Sequence, residues 1–216
     1  MKRIFDFLLA LIGLCVSAPF WILFALAIWF EDGRPVFYLQ ERVSKNGRIF
    51  NGRKFRSMSK TAESVVGPVQ AKENDTRITK TGRILRATAM DELPQLWNIL
   101  KGDMSFVGPR AIRPVEIDGE DAKPRSAWEF EGFKERSSVR PGLTGVAQVL
   151  APRDISRTNK FKYDIWYIKN QSFYLDIKLI MISFLITFTG KWEKRQERFN
   201  LLTSKLRDKI NSQKGA

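Results

Sequence analysis

Two adjacent carboxylates, Asp91 and Glu92, open a run that closes on Arg110 in the turn Gly108-Pro109-Arg110. Leu93, Leu96, Trp97 and Leu100 recur at i, i+3, i+4 and i+7, one apolar face of a short helix, and Lys101-Gly102 gives it a basic last turn and a stop. The carboxylates therefore stand at the positive end of that helix. A nucleophilic or metal-binding acid pair with a fork-shaped cation nearby suits work on phosphate. The same pattern has a plainer reading, because an Asp just before an apolar-periodic segment is commonly an N-cap.

The composition narrows the chemistry. The 216 residues include no histidine and one cysteine, Cys15, inside an apolar run. Disulfides, thiolate zinc sites, His-based acid–base chemistry and Ser-His-Asp triads are thereby excluded. Catalysis would have to use carboxylates, Lys, Arg or a hydroxyl, with an oxygen-preferring ion such as Mg²⁺ as the fitting metal. Lys and Arg number 37 against 23 Asp and Glu, a net charge of +14, so anionic partners are expected: nucleic acid, phospholipid head groups or a phosphorylated substrate. The basic residues are spread among apolar segments without a recognition motif, which argues against nucleic acid.

These groups must be positioned by a chain that begins at a membrane. Ile4 to Trp29 is apolar except for Asp6 and Ser17, and follows Lys2 and Arg3. A signal peptide fits poorly, because the apolar run continues past Pro19 to Trp29. A spanning helix has sufficient length. A bent, re-entrant helix is the third reading, since Pro19 removes a backbone hydrogen bond mid-segment and Ser17 can bond back to the preceding turn. The Lys and Arg residues on both sides favour a cytoplasmic location. The expected organisation is a membrane helix over 1–33, a catalytic domain over 34–190 and a basic amphipathic tail over 191–216.

Within the domain, residues 35–43 and 48–58 read as a hairpin around Ser44-Lys45-Asn46-Gly47. Residues 61–74 read as a loop and Lys80 to Arg86 as a helix. Residues 111–138 read as a variable surface loop with a short helix at Trp128 to Lys134 and no assigned chemistry. Ser138 to Gly145 reads as extended chain into a turn whose glycines permit close approach to a ligand. Ser172 to Thr189 is apolar, but Asp176 and Lys178 leave too short a clean run for a bilayer, so a buried or membrane-surface helix is expected. Trp192, Phe199, Leu202, Leu206 and Ile210 suggest an interfacial amphipathic helix.

The run from Asp91-Glu92-Leu93-Pro94-Gln95-Leu96 through Asn98, Lys101-Gly102-Asp103-Met104-Ser105 and Gly108-Pro109-Arg110 resembles the signature of the bacterial sugar transferases, the monotopic phosphoglycosyl transferases. Gln40-Glu41-Arg42-Val43, Lys54-Phe55-Arg56-Ser57-Met58, Arg140-Pro141-Gly142-Leu143-Thr144-Gly145, Ala147-Gln148-Val149 and the block Lys160 to Ile168 also match. So do Arg3, Asp6 and Pro19 of the membrane helix. Departures are Ala18 where the family has Ser, Val146 where it has Trp, and Leu150-Ala151-Pro152-Arg153 in a region that helps recognise the donor. The sugar is therefore left open.

The resemblance implies an α+β, mainly helical fold: a re-entrant N-terminal membrane helix, a small cytosolic catalytic domain and interfacial amphipathic helices. It implies transfer of a sugar-1-phosphate from a UDP-sugar to polyprenyl (undecaprenyl) phosphate, with UMP released, at the cytoplasmic face of the bacterial inner membrane. Asp91 would be the nucleophile and Glu92 would serve the metal site or proton handling, with Asp91 and Glu92 as Mg²⁺ ligands. Lys54, Arg56, Arg77, Arg86, Arg110, Arg140, Gln148, Asp164 and Tyr167 would bind substrate or phosphate. Membrane lipids and downstream glycosyltransferases would be partners. The alternative is a non-catalytic membrane-anchored scaffold of a glycan assembly complex.

Overall fold

The computed structural model describes residues 1–60, 62, 75–117, 124–151 and 156–188. The expected tail over 191–216 and, Ala62 aside, the expected loop over 61–74 lie outside the described residues. The described chain is mainly helical, with one helix, α1 (Lys2–Asp32), long and apolar enough to cross a membrane. Pro19 does not interrupt it. Ser17 Oγ donates to the Leu14 carbonyl at 3.4 Å and accepts from Trp21 Nε1 at 3.0 Å, a local bond of the kind expected beside the proline.

One stripe of α1, including Asp6, Ala10, Ser17 and Ile28, is buried against the rest of the chain. Leu8, Ile12, Val16, Phe20, Leu23 and Phe30 are exposed. Polar groups hold both ends of the helix. Near its start, the Arg3 guanidinium donates to the carbonyls of Ile99 (2.5 Å) and Leu100 (2.6 Å), and Asp6 accepts from the Phe106 amide at 3.1 Å. At its other end, Glu31 accepts from the amides of Lys80 (2.6 Å) and Thr81 (2.9 Å), and Asp32 pairs with Arg56 at 3.0 Å.

The hairpin forms as the alternation and turn residues predict. Strands β1 (Phe37–Val43) and β2 (Ile49–Phe55) pair antiparallel from Phe37 opposite Phe55 to Val43 opposite Ile49. Asn46 and Gly47 take left-handed conformations in the turn, at φ 58° and 79°. Helix α2 (Lys80–Ala87) follows, capped by the Thr79 side chain, which accepts from the Gly82 amide at 2.9 Å. Gly82 lies so near the Ser57 carbonyl that a Cβ would come within 2.0 Å of its oxygen. Helix α3 (Gln95–Lys101) ends at Gly102, φ 92°.

Strand β3 (Ser105–Val107) then pairs in parallel with β6 (Gly142–Thr144), carrying the Gly108-Pro109-Arg110 turn against the second glycine-rich turn. Between them run β4 (Val115–Ile117), its antiparallel partner β5 (Pro124–Ser126) and α4 (Phe133–Arg136). For its described residues, 111–117 and 124–138, the expectation of a surface loop is corrected here; 118–123 lie outside the described residues. Ile112, Ala127, Phe130 and Phe133 form a core cluster with Val43 and Phe161, because these apolar residues cover the outer side of the hairpin end. Their irregular spacing hid that role.

Helices α5 (Val146–Leu150), α6 (Arg157–Asn170) and α7 (Phe173–Phe188) complete the described chain. The largest core cluster joins Val107, Val146, Leu150, Tyr167, Leu179 and Ile186. Helix α7 thus buries one face in the domain, as its charges and short apolar run suggest.

Candidate active site

The chain enters the site through a strained residue. Ala89 adopts φ 54°, a left-handed conformation unfavourable for a residue with a Cβ and costing about 1 kcal/mol or more. It turns the chain from α2 into a 3₁₀ turn, Met90–Glu92, that carries both carboxylates. Neither carboxylate caps the following helix: α3 is preceded by Pro94 and has no side-chain cap. The N-cap reading of Asp91 is therefore replaced by one in which its carboxylate is directed elsewhere.

Asn98 fixes the turn against the hairpin. Its side-chain amide donates to the Asn51 carbonyl at 2.9 Å while its oxygen accepts from the Arg53 amide at 3.1 Å. This stitch between α3 and β2 brings Lys54 onto Glu92, which it contacts directly, and Arg110 approaches the same carboxylate oxygen at 3.9 Å. The three side chains border an open cleft. Gln40, Arg42 and Gln95 also line it, with Phe50, Met104 and Leu143 as apolar wall. Asp91, next to Glu92 in the chain, is 9% exposed and is not itself among the lining residues.

The two carboxyls differ in their acidity. Burial pushes Asp91 up to about 6, and the charge of Glu92 adds to this against the opposing fields of Lys54, Arg86 and Arg110. Burial acts on Glu92 in the same sense, but Lys54 and Arg110 outweigh it and hold Glu92 down at about 2. Such a divergence between neighbouring acids is a common mark of a working site. Asp91 is thus the weaker acid of the two.

The predicted residues do not all gather here. Lys54, Glu92 and Arg110 share the cleft, and Arg86 acts on Asp91 through its field. Arg56 lies elsewhere, buried and donating to the carbonyls of Pro35, Asp32 (2.9 Å) and Gly33 (2.8 Å); it anchors the end of α1. Arg77 pairs with Asp75 at 2.7 Å. Arg140 donates to the Gly102 carbonyl at 2.9 Å, and buried Gln148 donates to that of Gly142 at 3.4 Å. Tyr167 donates to Asp176 at 2.6 Å, and burial with that carboxylate raises its phenol well above the usual range.

Asp164 pairs with Arg136 at 2.8 Å in a sealed contact. Arg136 also donates to the Arg110 carbonyl and lies over the Phe161 ring, 4.5 Å from its centre. This strut sets the backbone of the Gly-Pro-Arg turn from behind. The sequence signal for Arg136 was weak, because it sits in the segment read as a loop. Gln40 and Arg42 were more legible, as alternate residues on one side of β1.

Asp91 and Glu92 supply hard oxygen donors. Among the described residues no group of three or more acidic or thiol side chains gathers around a point. Mg²⁺ commonly takes one or two carboxylates and completes its shell with water and substrate phosphate, so this donor pair fits it as an ion shared with a diphosphate.

Residues 1–190 match the family model of the bacterial sugar transferases, and the chain belongs to that family. Among its relatives, the UDP-N-acetylgalactosamine-undecaprenyl-phosphate N-acetylgalactosaminephosphotransferase of Aeromonas hydrophila is 38% identical over 194 residues, covering 88% of this chain and 44% of the relative. The undecaprenyl-phosphate galactose phosphotransferase of Salmonella typhimurium is 34% identical over 197 residues, covering 83% and 39%. The uncharacterized sugar transferase EpsL of Bacillus subtilis is 39% identical over 184 residues, covering 85% of each chain. The chain thus spans less than half the length of the first two relatives and most of the third.

Proposed function

We propose that this chain transfers a sugar-1-phosphate from a UDP-sugar to polyprenyl (undecaprenyl) phosphate through a covalent intermediate on Asp91. The observation that carries this reading is a cation-rimmed cleft lined by Glu92, whose acidity and that of the adjacent Asp91 are shifted in opposite directions. The Asp91 carboxylate attacks the sugar-bearing phosphorus; an acyl phosphate bond forms and the bond to UMP breaks. A phosphate oxygen of the polyprenyl phosphate then attacks the same phosphorus. The polyprenyl diphosphate sugar leaves and the Asp91 carboxylate is regenerated.

Attack of an anion on a diphosphate requires nearby positive charge. Arg110, 56% exposed at its side chain, is placed to meet phosphate oxygens, and Lys54 screens Glu92 beside it. Mg²⁺ held by Asp91 and Glu92 would supply further charge neutralisation on the phosphates. The relatives' names, as undecaprenyl-phosphate sugar phosphotransferases, support the substrate classes.

Helix α1 supports a particular membrane arrangement. A 31-residue helix is about 46 Å long, against a hydrocarbon core of about 30 Å. Its two ends bond to the same catalytic domain, through Arg3 and Asp6 at one end and Glu31 and Asp32 at the other. That supports a re-entrant helix with both ends on the cytoplasmic face of the inner membrane, its exposed stripe in lipid. Fixing the cleft near lipid phosphate lets the acceptor arrive laterally.

The test is UMP release from a panel of UDP-sugars by purified protein with Mg²⁺ and polyprenyl phosphate in detergent, beside Asp91→Asn. Release with one donor, lost in the variant, supports the reading and names the sugar. No release with any donor from folded, membrane-bound protein would favour the scaffold.

A further inference from the structure

Two glutamines line the cleft, and their hydrogen bonding differs. Gln40 is satisfied at both ends of its carboxamide: its nitrogen donates to Tyr38 Oη at 3.0 Å and its oxygen accepts from Arg42. Gln95 lines the cleft and is 7% exposed as a residue, and its carboxamide is engaged by no hydrogen bond among the described residues. Its polar atoms are not sealed from solvent, so the carboxamide opens to the cleft with its donor available to a ligand there. Two of the cations lining the same cleft are already engaged. Lys54 is on Glu92, and Arg42 donates to the Ala111 carbonyl at 2.9 Å as well as to Gln40.

Position specifies the partner. Gln95 is the first residue of α3, three after Glu92 and four after Asp91, and it shares the cleft wall with Glu92. An anionic ligand entering between Glu92 and Arg110 would place oxygens within reach of an unpaired N–H donor. A cation at this position would pair with Glu92. A neutral carboxamide gives a directed donor without neutralising that carboxylate.

We propose that Gln95 is a substrate-contacting residue whose carboxamide nitrogen donates to a non-bridging oxygen of the transferred phosphoryl group, orienting the phosphorus toward Asp91. The inference rests on the transferase reading above. It adds a contact that depends on neither a metal ion nor a side-chain charge. The bond is made only with ligand in place, and it matters most as charge builds on the phosphoryl oxygens.

The experiment uses the full chain in detergent with its UDP-sugar donor and polyprenyl phosphate, comparing wild type with Gln95→Met and Gln95→Glu. Methionine keeps the volume without a donor, and glutamate keeps the shape while placing a third carboxylate beside the phosphate. Thermal midpoints identify variants that fail to fold. The expected result for Gln95→Met is a fall in kcat/KM of about tenfold to a hundredfold, carried mainly by kcat, at an unchanged or higher midpoint. Gln95→Glu should fall further and recover partly as pH is lowered. Unchanged kcat and KM in folded Gln95→Met, with an active wild type, would overturn the contact and leave the transferase reading intact. Absence of UMP release from wild type would instead overturn that reading, and the contact with it.

Discussion

Two carboxylate–cation assemblies meet at Arg110 and differ in their access to solvent. In front, Glu92 is held by Lys54 and faces the Arg110 side chain; the Glu92 and Lys54 side chains are 19% and 21% exposed. Behind, Asp164 is held by Arg136, which grips the Arg110 backbone; the Asp164 and Arg136 side chains are 3% and 4% exposed. The front pair can exchange partners when an anion enters. The rear pair is sealed from ligand and can act only through the turn it supports. Similar charge chemistry thus serves contact on one side and positioning on the other, with burial deciding which.

Substitutions should separate the two roles. The largest effect is expected at the front: Asp91→Asn should abolish UMP release, since an amide cannot form the acyl phosphate. The same change should raise the thermal midpoint at pH 7. Burial holds the Asp91 pKa at about 6, above its unfolded value, so the ionised acid costs stability above that range. The gain should shrink as pH falls below about 6, where the wild-type acid is itself neutral. Thermal melts of both proteins from pH 5 to 8 check the sign.

Next in size is the rear. Arg136→Met strips the cation from a sealed carboxylate and should destabilise the fold by about 3 kcal/mol or more, read as a lowered midpoint. Pairing it with Asp164→Asn should recover part of that stability, but the Arg110 turn would still lack its donor, so kcat should stay depressed. Full recovery of kcat in the double variant would break the positioning role.

Lys54→Met should have a smaller effect on stability and a selective one on chemistry. Losing the cation that does most to hold down the Glu92 pKa should move that pKa upward, shifting the acid limb of the pH–rate profile to higher pH. Smallest of all should be the kinetic effect of Arg56→Met. Arg56 touches carbonyls at the end of α1 rather than the cleft, so membrane retention and midpoint should fall while KM for the donor holds.

How legible this was in the sequence follows the same division. The hairpin, α2, α3 and the Gly102 stop were readable because local periodicity and turn residues set them. The pairing of Lys54 with Glu92 was foreshadowed only by both lying in motif-like runs, since contact between β2 and α3 depends on Asn98 reaching the Asn51 carbonyl. Arg56 and Arg140, whose guanidinium groups donate to backbone carbonyls, show how much of a cation's role its sequence leaves open. A basic residue in a basic protein can serve a ligand or a buried carbonyl with the same local pattern, and only the fold distinguishes the two. Arg136 was illegible for a related reason: its value comes from Asp164, far along the chain, and from a backbone oxygen that no side-chain motif encodes.

The most direct measurement is intact-protein and peptide mass spectrometry after mixing the full chain with its UDP-sugar and Mg²⁺ in the absence of lipid acceptor. One phosphosugar is expected to be added at Asp91, with UMP released in matching amount, and polyprenyl phosphate should then remove the adduct. UMP release that requires polyprenyl phosphate from the outset, with no mass added at Asp91 at any time, would contradict the covalent intermediate.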